Sequence, residues 1–156
     1  MGEINVRPAM PEDAEFLVHG NAEMALETEQ LSLDLDRLRD GVHAVFDQPS
    51  RGRYFIAELD GRRAGQLLIT YEWSDWRNGA FWWIQSVHVE QQFRRQGVFR
   101  TLYRQLEAQA RATPGVCGLR LYVEDHNRRA QNTYESVGMR RSVYQLFETD
   151  FVLSRG

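Results

Sequence analysis

The sequence predicts a mixed α/β (α+β) fold with six or seven strands in one sheet and about four helices. Asp60-Gly61 and Asn78-Gly79 each separate two runs rich in β-branched and aromatic residues, a pattern typical of tight reversals between antiparallel strands. Between residues 80 and 123 the apolar period changes from two to about 3.6 and back, which predicts a strand, a helix and a second strand. Antiparallel N-terminal strands and one parallel pair around the third helix are therefore expected.

Length and composition bound the possible classes of protein. The 156 residues suit one domain, spanning 1–156, and the net charge of −3 with a pI near 5.8 argues against a nucleic-acid partner. Cys117 is the single cysteine, so no internal disulfide is expected. No apolar run reaches about 18 residues and no signal-peptide core is found, so we expect no membrane partner and a cytoplasmic location.

The N-terminal elements follow from local signals. A first strand at residues 4–7 ends at Pro8. A first helix begins near Pro11, because proline suits the first helical position, and it ends near residue 27 or 28. Apolar residues at helical spacing predict a second helix over residues 34–46.

The later strands follow from alternating apolar residues. They are predicted at residues 54–59, 64–71, 80–89, 118–123 and 142–147.

A loop between a strand and a helix forms the first candidate site. Residues 94–97, Arg-Arg-Gln-Gly, separate the strand at 80–89 from a helix that opens at Gly97 and stops near residue 113. A glycine allows close approach of the backbone, and a helix N-terminus presents unpaired N–H groups with a positive dipole end. The pattern predicts a phosphate-binding site.

This loop resembles a known family motif. Arg94-x-x-Gly97-x-Phe99 is similar to the Arg/Gln-x-x-Gly-x-Gly/Ala pyrophosphate loop of the GCN5-related N-acetyltransferases, the GNAT family. Phe99 stands where glycine or alanine is usual.

A second motif lies about 30 residues downstream. Asn127 is a good helix N-cap, Ala130 and Tyr134 line one helical face, and Gly138 sits where a C′ glycine belongs. Asn127-x-x-Ala130-x-x-x-Tyr134-x-x-x-Gly138 is similar to the second GNAT signature. With both motifs in this order, the chain resembles bacterial members of that family and is expected to share their fold.

The resemblance implies acetyl-CoA as co-substrate, with no metal. By resemblance, the strand edge at Val87, His88 and Val89 faces the pantetheine arm and the acetyl group, and Tyr134 is the general acid that protonates the leaving thiolate. The implied cofactor-binding residues are Val87, His88, Val89, Arg94, Arg95, Gln96, Gly97, Val98, Phe99, Arg100, Asn127 and Tyr134.

The general base stays open at this stage. A primary amine has a pKa near 10.4, so only about one molecule in 10³ is neutral at pH 7. Many members of the family place a glutamate on the strand before the loop, but residues 80–89 contain none. Gln85 can orient a water or hold a substrate, yet it cannot accept a proton. His88, Glu72 and Glu124 are the candidates.

The acceptor pocket is expected from the first two helices and the hairpin near residues 72–83. Carboxylates and indoles would suit a cationic amine through charge and cation–π contact, although solvated acids and core tryptophans explain the same residues. The candidate acceptor-binding residues are Glu27, Glu72, Trp73, Trp82 and Gln85.

The sequence therefore favours an enzyme that transfers acetyl to a primary amine, more readily a small molecule, by direct attack in a ternary complex. Two alternatives remain. One is acetylation of a protein N-terminus or lysine; the other is a non-catalytic CoA-binding module, a sensor or subunit, which Phe99 favours and Tyr134 disfavours. The apolar C-terminal strand and the family resemblance suggest a homodimer.

Overall fold

The structure is a computed structural model that describes residues 2–154. One sheet has the strand order β1-β2-β3-β4-β5, and helices cover both of its faces. The strands are β1 (Ile4–Pro8), β2 (Arg53–Leu59), β3 (Arg62–Ser74), β4 (Gly79–Val89) and β5 (Val116–Arg120). The helices are α1 (Ala14–Glu29), α2 (Leu35–Asp47), α3 (Val98–Ala112) and α4 (Arg128–Ser136).

The predicted strand directions are confirmed. Strands β1 to β4 pair antiparallel in sequence order, and β4 pairs parallel with β5. Asp60 and Gly61 have φ values of 51° and 79°, and Asn78 has 48°, as tight reversals require. The fold class is therefore the predicted one.

The number of strands differs from the prediction, since the described residues form five strands rather than six or seven. Residues 142–147 belong to no strand, and Val143 and Phe147 are 92% and 88% exposed. The strand predicted at 118–123 runs from Val116 to Arg120. An alternating sequence favours extended backbone, but a strand also needs a neighbouring backbone to pair with.

A buried ion pair fixes the start of α1 on the sheet. The Asp13 side chain is 1% exposed and contacts Arg7 of β1 at 2.8 Å and Arg63 of β3 at 3.1 Å. The hydrogen bond from Arg7 is the main reason that the pKa of the Asp13 carboxyl lies below its ordinary value. Asp13 also accepts the Met10 N–H at 2.8 Å, so the chain entering α1 is held from three sides.

Apolar side chains pack on both faces of the sheet. Leu102 and Leu106 of α3 are buried with Leu67 and Ile84 of the sheet, whereas Leu17, Val18 and Val42 of α1 and α2 pack with Tyr54 and Ile56. In the described part of the chain, no helix combines the length and apolarity needed to cross a bilayer. The two faces of β4 therefore meet different helices, and this arrangement shapes the candidate site.

Candidate active site

A cleft opens where β4 and β5 part. Their parallel pairing runs from Ala80 opposite Val116 to Trp83 opposite Arg120 and then stops, although β4 continues for six residues. Across β3, Gln66 pairs with His88 and Leu68 with Gln85, so two residues of β4 oppose one of β3 in a β-bulge.

Ser86 lies in this bulge with a φ of 53°. Because a bulge bends its strand, the second half of β4 leaves the direction of β5 and exposes one backbone edge.

The backbone of Val87 and Val89 faces this cleft. The Glu90 N–H donates to the Ala64 carbonyl of β3 at 2.8 Å. Since successive strand residues direct their backbone groups to opposite edges, Val89 and Val87 point toward the open side and His88 toward β3. The Val89 carbonyl accepts from Arg94 Nε at 2.9 Å. The N–H groups of Val87 and Val89 thus suit a ligand that lies in strand fashion along β4.

The loop after β4 has the geometry of an anion site. Gly97 adopts φ 83° and Arg95 φ 64°, and the helix ladder begins with the Thr101 N–H donating to the Gly97 carbonyl at 3.0 Å. The N–H groups of the first turn, at residues 98–100, therefore lie outside the ladder. A Cβ on Gly97 would meet no atom within 4 Å, so the space before the loop is open. A diphosphate fits this position.

The loop arginines point in different directions. Arg94 faces inward, where its guanidinium contacts Glu27 of α1 at 2.9 Å. Arg100 donates to Ser136 Oγ at 3.2 Å and so ties α3 to α4. Arg95 is exposed beside the loop. Arg94 therefore links the loop to α1, and Arg95 is better placed to meet a bound anion.

Phe99 makes ring contacts with two tyrosines. Its ring lies 5.6 Å from the Tyr134 ring in an edge-to-face arrangement and 6.2 Å from the Tyr103 ring. The Phe99 ring thus packs against one tyrosine of α3 and one of α4.

Tyr134 lies on α4 on the same side of the sheet. Burial raises the pKa of its phenol above the ordinary value near 10, so the group stays protonated across the neutral range. The helix that holds it begins and ends as predicted: Asn127 Oδ1 accepts the Ala130 N–H at 3.1 Å, and Gly138 has φ 101°.

The opposite side of β4 carries charged and titratable groups. The His88 side chain is buried, and its Nε2 lies 3.2 Å from Glu23 Oε2. The other Glu23 oxygen lies 3.2 Å from His19 Nε2. Side-chain ligand atoms of Glu23, His88 and Glu90 all lie within 4.8 Å of one another. The Glu23 carboxylate thus orients the imidazole of His88, which lies in the part of β4 after the bulge.

Two acidic cavities flank the end of α1, and Glu27 lines both. A cavity of about 310 Å³ lies between α1 and the end of β4; one of about 490 Å³ lies between the end of α1 and the loop before α4. The first is lined by Glu23, Leu26, Glu27, Glu90, Gln91, Gln92 and Arg94. The second is lined by Glu27, Thr28, Glu29, Gln30, Glu124, His126, Asn127 and Arg129. Clustered carboxylates favour a cationic ligand.

The two glutamates suggested as bases are not equivalent. Glu72 Oε1 accepts from Trp83 Nε1 at 3.0 Å and Arg120 at 2.7 Å, and these bonds lower the pKa of its carboxyl. Glu72 lies opposite Phe81, five residues from Ser86, or about 16 Å along the strand. Glu124 accepts the His126 N–H at 2.8 Å and lines the second cavity. Glu72 is thus distant from the bulge, whereas Glu124 lines the second cavity.

The predicted acceptor residues divide in the same way. Gln85 lies beside the bulge and donates to Thr70 Oγ1 at 2.6 Å, and Glu27 lines the cavities. Trp82 is 4% exposed in the core beneath α3, and Trp73, 64% exposed, pairs with Ala80 near the hairpin. The structure therefore gives Trp82 a packing role instead of acceptor contact, and it places Trp73 away from the cleft.

Sequence reasoning missed the contact between Glu23 and His88, which are 65 residues apart. It also missed Glu90. The spacing of His19, Glu23 and Glu27 along one stripe of α1 was the available signal, since residues four apart share a helix face.

Comparisons with known proteins agree with this geometry. The family model described as the acetyltransferase (GNAT) family matches residues 21–139. A thialysine N-epsilon-acetyltransferase from Caenorhabditis elegans is 28% identical over 134 residues, which are 86% of this chain and 79% of that protein.

Solved structures share the fold. A possible acetyltransferase from Clostridium difficile 630 is 37% identical with a TM-score of 0.88, over 96% of this chain and 99% of that one. A predicted acetyltransferase from Clostridium acetobutylicum, solved with acetyl-CoA, is 16% identical with a TM-score of 0.74, over 94% and 96%. The cleft, the loop and the family match lead to one conclusion: the chain belongs to the GNAT family of acetyltransferases.

Proposed function

We propose that this protein is a cytoplasmic, single-domain N-acetyltransferase that moves the acetyl group of acetyl-CoA to a primary amine of a small cationic molecule. The observation that supports this proposal best is the cleft at the β4 bulge. Tyr134 approaches from the α4 side of the sheet, and the pair of His88 and Glu23 lies on the α1 side.

Acetyl-CoA supplies an activated acyl group, and this chain offers partners for its diphosphate, its arm and its thioester carbonyl. The amide groups at residues 97–100 and the exposed Arg95 would hold the diphosphate. The N–H groups of Val87 and Val89 would pair with the arm and polarise the thioester carbonyl. Gln96, Val98, Phe99 and Arg100 lie in or next to this loop, Asn127 caps α4, and we include all five among the proposed cofactor partners. A shared fold with the acetyl-CoA-bound Clostridium acetobutylicum protein supports this placement.

The proposed step is direct attack in a ternary complex. The amine nitrogen forms a bond to the acyl carbon, the carbon–sulfur bond breaks, and Tyr134 gives its phenol proton to the departing sulfur. Its raised pKa keeps that proton available at neutral pH. Solvent then returns a proton to the phenolate.

His88 is the proposed base, because its imidazole can accept the amine proton while Glu23 stabilises the cation that forms. Glu124, acting through a water molecule, is the second candidate. The Glu72 carboxylate, with its two donors, is the least favoured of the three. The pH profile of an H88Q variant beside that of E124Q distinguishes the first two.

The acidic cavities favour a cationic acceptor. Glu23, Glu27 and Glu90 line one cavity; because Glu27 is paired with Arg94 there, Glu23 and Glu90 are the carboxylates that would attract a second ammonium group of the acceptor. The name of the Caenorhabditis elegans relative specifies the ε-amine of thialysine, which supports an amine of this kind. A lysine side chain or the N-terminus of a protein also offers a primary amine, so the test includes lysine-bearing peptides.

A non-catalytic CoA-binding module is the alternative of another class. The absence of a glutamate at residues 80–89 favours it, whereas the partly buried Tyr134, with its phenol available as an acid, opposes it. We also propose that the chain forms a homodimer.

The test is release of free thiol from acetyl-CoA across a panel of lysine, thialysine, diamines, neutral primary amines and lysine-bearing peptides. The proposal expects amine-dependent release with cationic small molecules ahead of neutral amines and peptides. If acetyl-CoA raises the melting temperature while no amine yields thiol, the binding-module alternative replaces this proposal. Faster thiol release with lysine-bearing peptides than with small amines would indicate that the acceptor is a protein.

A further inference from the structure

Gln66 of β3 is a buried polar residue with one unused acceptor. The residue is 0% exposed, and its Nε2 donates to the Leu17 carbonyl of α1 at 3.1 Å. Within the part of the chain that the structure describes, its Oε1 accepts no hydrogen bond. Because an unpaired buried acceptor destabilises a fold, packing alone would favour an apolar side chain of the same shape at this position.

A gap in the surface of α1 receives this amide. Gly20 lies inside α1, and a Cβ built on it would overlap Gln66 Oε1 and lie 2.7 Å from Cδ of the same side chain. Non-bonded carbon atoms prefer separations of about 3.5–4.0 Å, so a side chain at position 20 and the Gln66 amide exclude each other. We call the contact of Gln66 with Gly20 and Leu17 the α1–β3 joint.

The α1–β3 joint lies beside the contact between Glu23 and His88. Gln66 is directly opposite His88 in the antiparallel pairing of β3 and β4, so both side chains lie on the α1 face of the sheet. Glu23 follows Gly20 by three residues and therefore lies one turn further along the same side of α1. The two contacts are thus neighbours on the sheet and on the helix.

The contact between Glu23 and His88 depends on the position of α1. The Glu23 oxygen lies 3.2 Å from His88 Nε2, and a displacement of about 1 Å would take it beyond hydrogen-bond distance. Leu17 and Val18 pack on Tyr54 and Ile56 through apolar contacts, which have no preferred direction. The hydrogen bond and the close fit at Gly20 do have one, so the α1–β3 joint can fix the helix along its axis.

We propose that Gln66 is a positioning residue, which holds α1 where the Glu23 carboxylate meets the imidazole of His88. Since Gln66 is fully buried, it acts through these two residues and not on either substrate. The role rests on the proposed function, in which His88 accepts the proton of the amine.

Thiol release by the Q66M variant tests this role, because methionine has a similar shape but forms no such hydrogen bond. The variant should lower kcat/KM for a cationic amine about tenfold and leave KM for acetyl-CoA unchanged. Its melting temperature should stay close to that of the wild type, since the unpaired acceptor is lost together with the hydrogen bond.

The matched control is N21A. The Asn21 side chain is the other donor to the Leu17 carbonyl, at 2.9 Å, but it belongs to α1 and does not join the helix to the sheet. The control should keep the wild-type rate. Equal losses of kcat/KM in N21A and Q66M would overturn the proposal.

Combination with E23Q separates positioning from a general loosening of the fold. If Gln66 acts through Glu23, the double variant Q66M/E23Q should be no slower than E23Q alone. Two tenfold losses that multiply to about a hundredfold would show independent effects and would overturn the proposal. If Q66M does not fold, G20A, which fills the gap in α1, replaces it with the same expectations.

Nuclear magnetic resonance of the histidine rings gives a result that does not require catalysis. The His88 ring signals, identified by their absence in H88Q, should move in Q66M and in E23Q, and should move no further in the double variant than in E23Q. Signals that stay in place in Q66M, or that move equally with and without Glu23, would overturn the proposal. If the signals behave as expected but no amine yields thiol, the proposed function fails while Gln66 still controls the contact between Glu23 and His88.

Discussion

The two faces of β4 carry different chemistry. Toward α3 and α4, the site is apolar: Phe99 packs against the rings of Tyr103 and Tyr134, and desolvation raises the pKa of the Tyr134 phenol. Toward α1, it is charged: His88 meets Glu23 through an ion pair or a hydrogen bond. The difference shows how one strand can serve two substrates. Its backbone and the packing on one face would position acetyl-CoA, while the other face presents charged side chains to the amine.

The apolar face should be the more sensitive to loss of volume. Leu102 is 1% exposed beneath the sheet, and L102A is expected to lower the free energy of unfolding by about 3–4 kcal/mol through lost burial and the cavity left behind. Urea denaturation measures this loss. The loss of unfolding free energy in L102A should be similar at pH 7 and pH 4, since no charge is involved. A loss confined to one pH would contradict an explanation based on apolar burial alone.

The charged face should respond to pH. D13N removes the partner of Arg7 and Arg63 and is expected to cost about 3 kcal/mol at pH 7. The pKa of Asp13 is lowered in the folded state, so its contribution is present above the unfolded value of 3.8 and is lost as pH falls below it. The difference in the free energy of unfolding between D13N and the wild type should therefore become smaller in acid. A difference in unfolding free energy that stays constant down to pH 2 would refute the ion-pair explanation.

Chemistry on the apolar face is tested by Y134F. Loss of the phenol proton should lower kcat for thiol release about a hundredfold, with little change in acetyl-CoA affinity. The raised pKa of Tyr134 predicts that wild-type activity dependent on this proton persists above pH 10 before it declines.

The matched control is Y103F, which removes another phenol with a raised pKa from the same side of the sheet. It should keep its activity. Equal losses in both variants would assign Tyr134 to packing alone.

The smallest expected effect tests the charged face. E23Q removes the carboxylate beside His88 and should lower kcat/KM for a cationic amine about tenfold, while KM for acetyl-CoA stays unchanged. His19, the other partner of Glu23, is 64% exposed. The control variant H19Q should therefore leave the rate near that of the wild type. A rise in KM for acetyl-CoA in E23Q would place Glu23 on the donor side.

Local signals predicted most of the fold. Asp60-Gly61 encodes its reversal through backbone preference, and Asn127 and Gly138 bound α4 through groups within a few residues. The phosphate loop was predicted for the same reason, because Gly97 and the first turn of α3 are contiguous in the chain. Helices, turns and their caps depend on neighbours in sequence, which a sequence displays directly.

The assembly of the site depended on contacts between distant residues. The partners of His88 and Arg94 lie on α1, more than 60 residues away, and the separation of β4 from β5 follows from a bulge that no local pattern marked. Residues 142–147 have the alternation of a strand, but within the described residues they pair with no strand. Pairing and ion contacts are set by which surfaces meet in space, and chain order alone does not specify that.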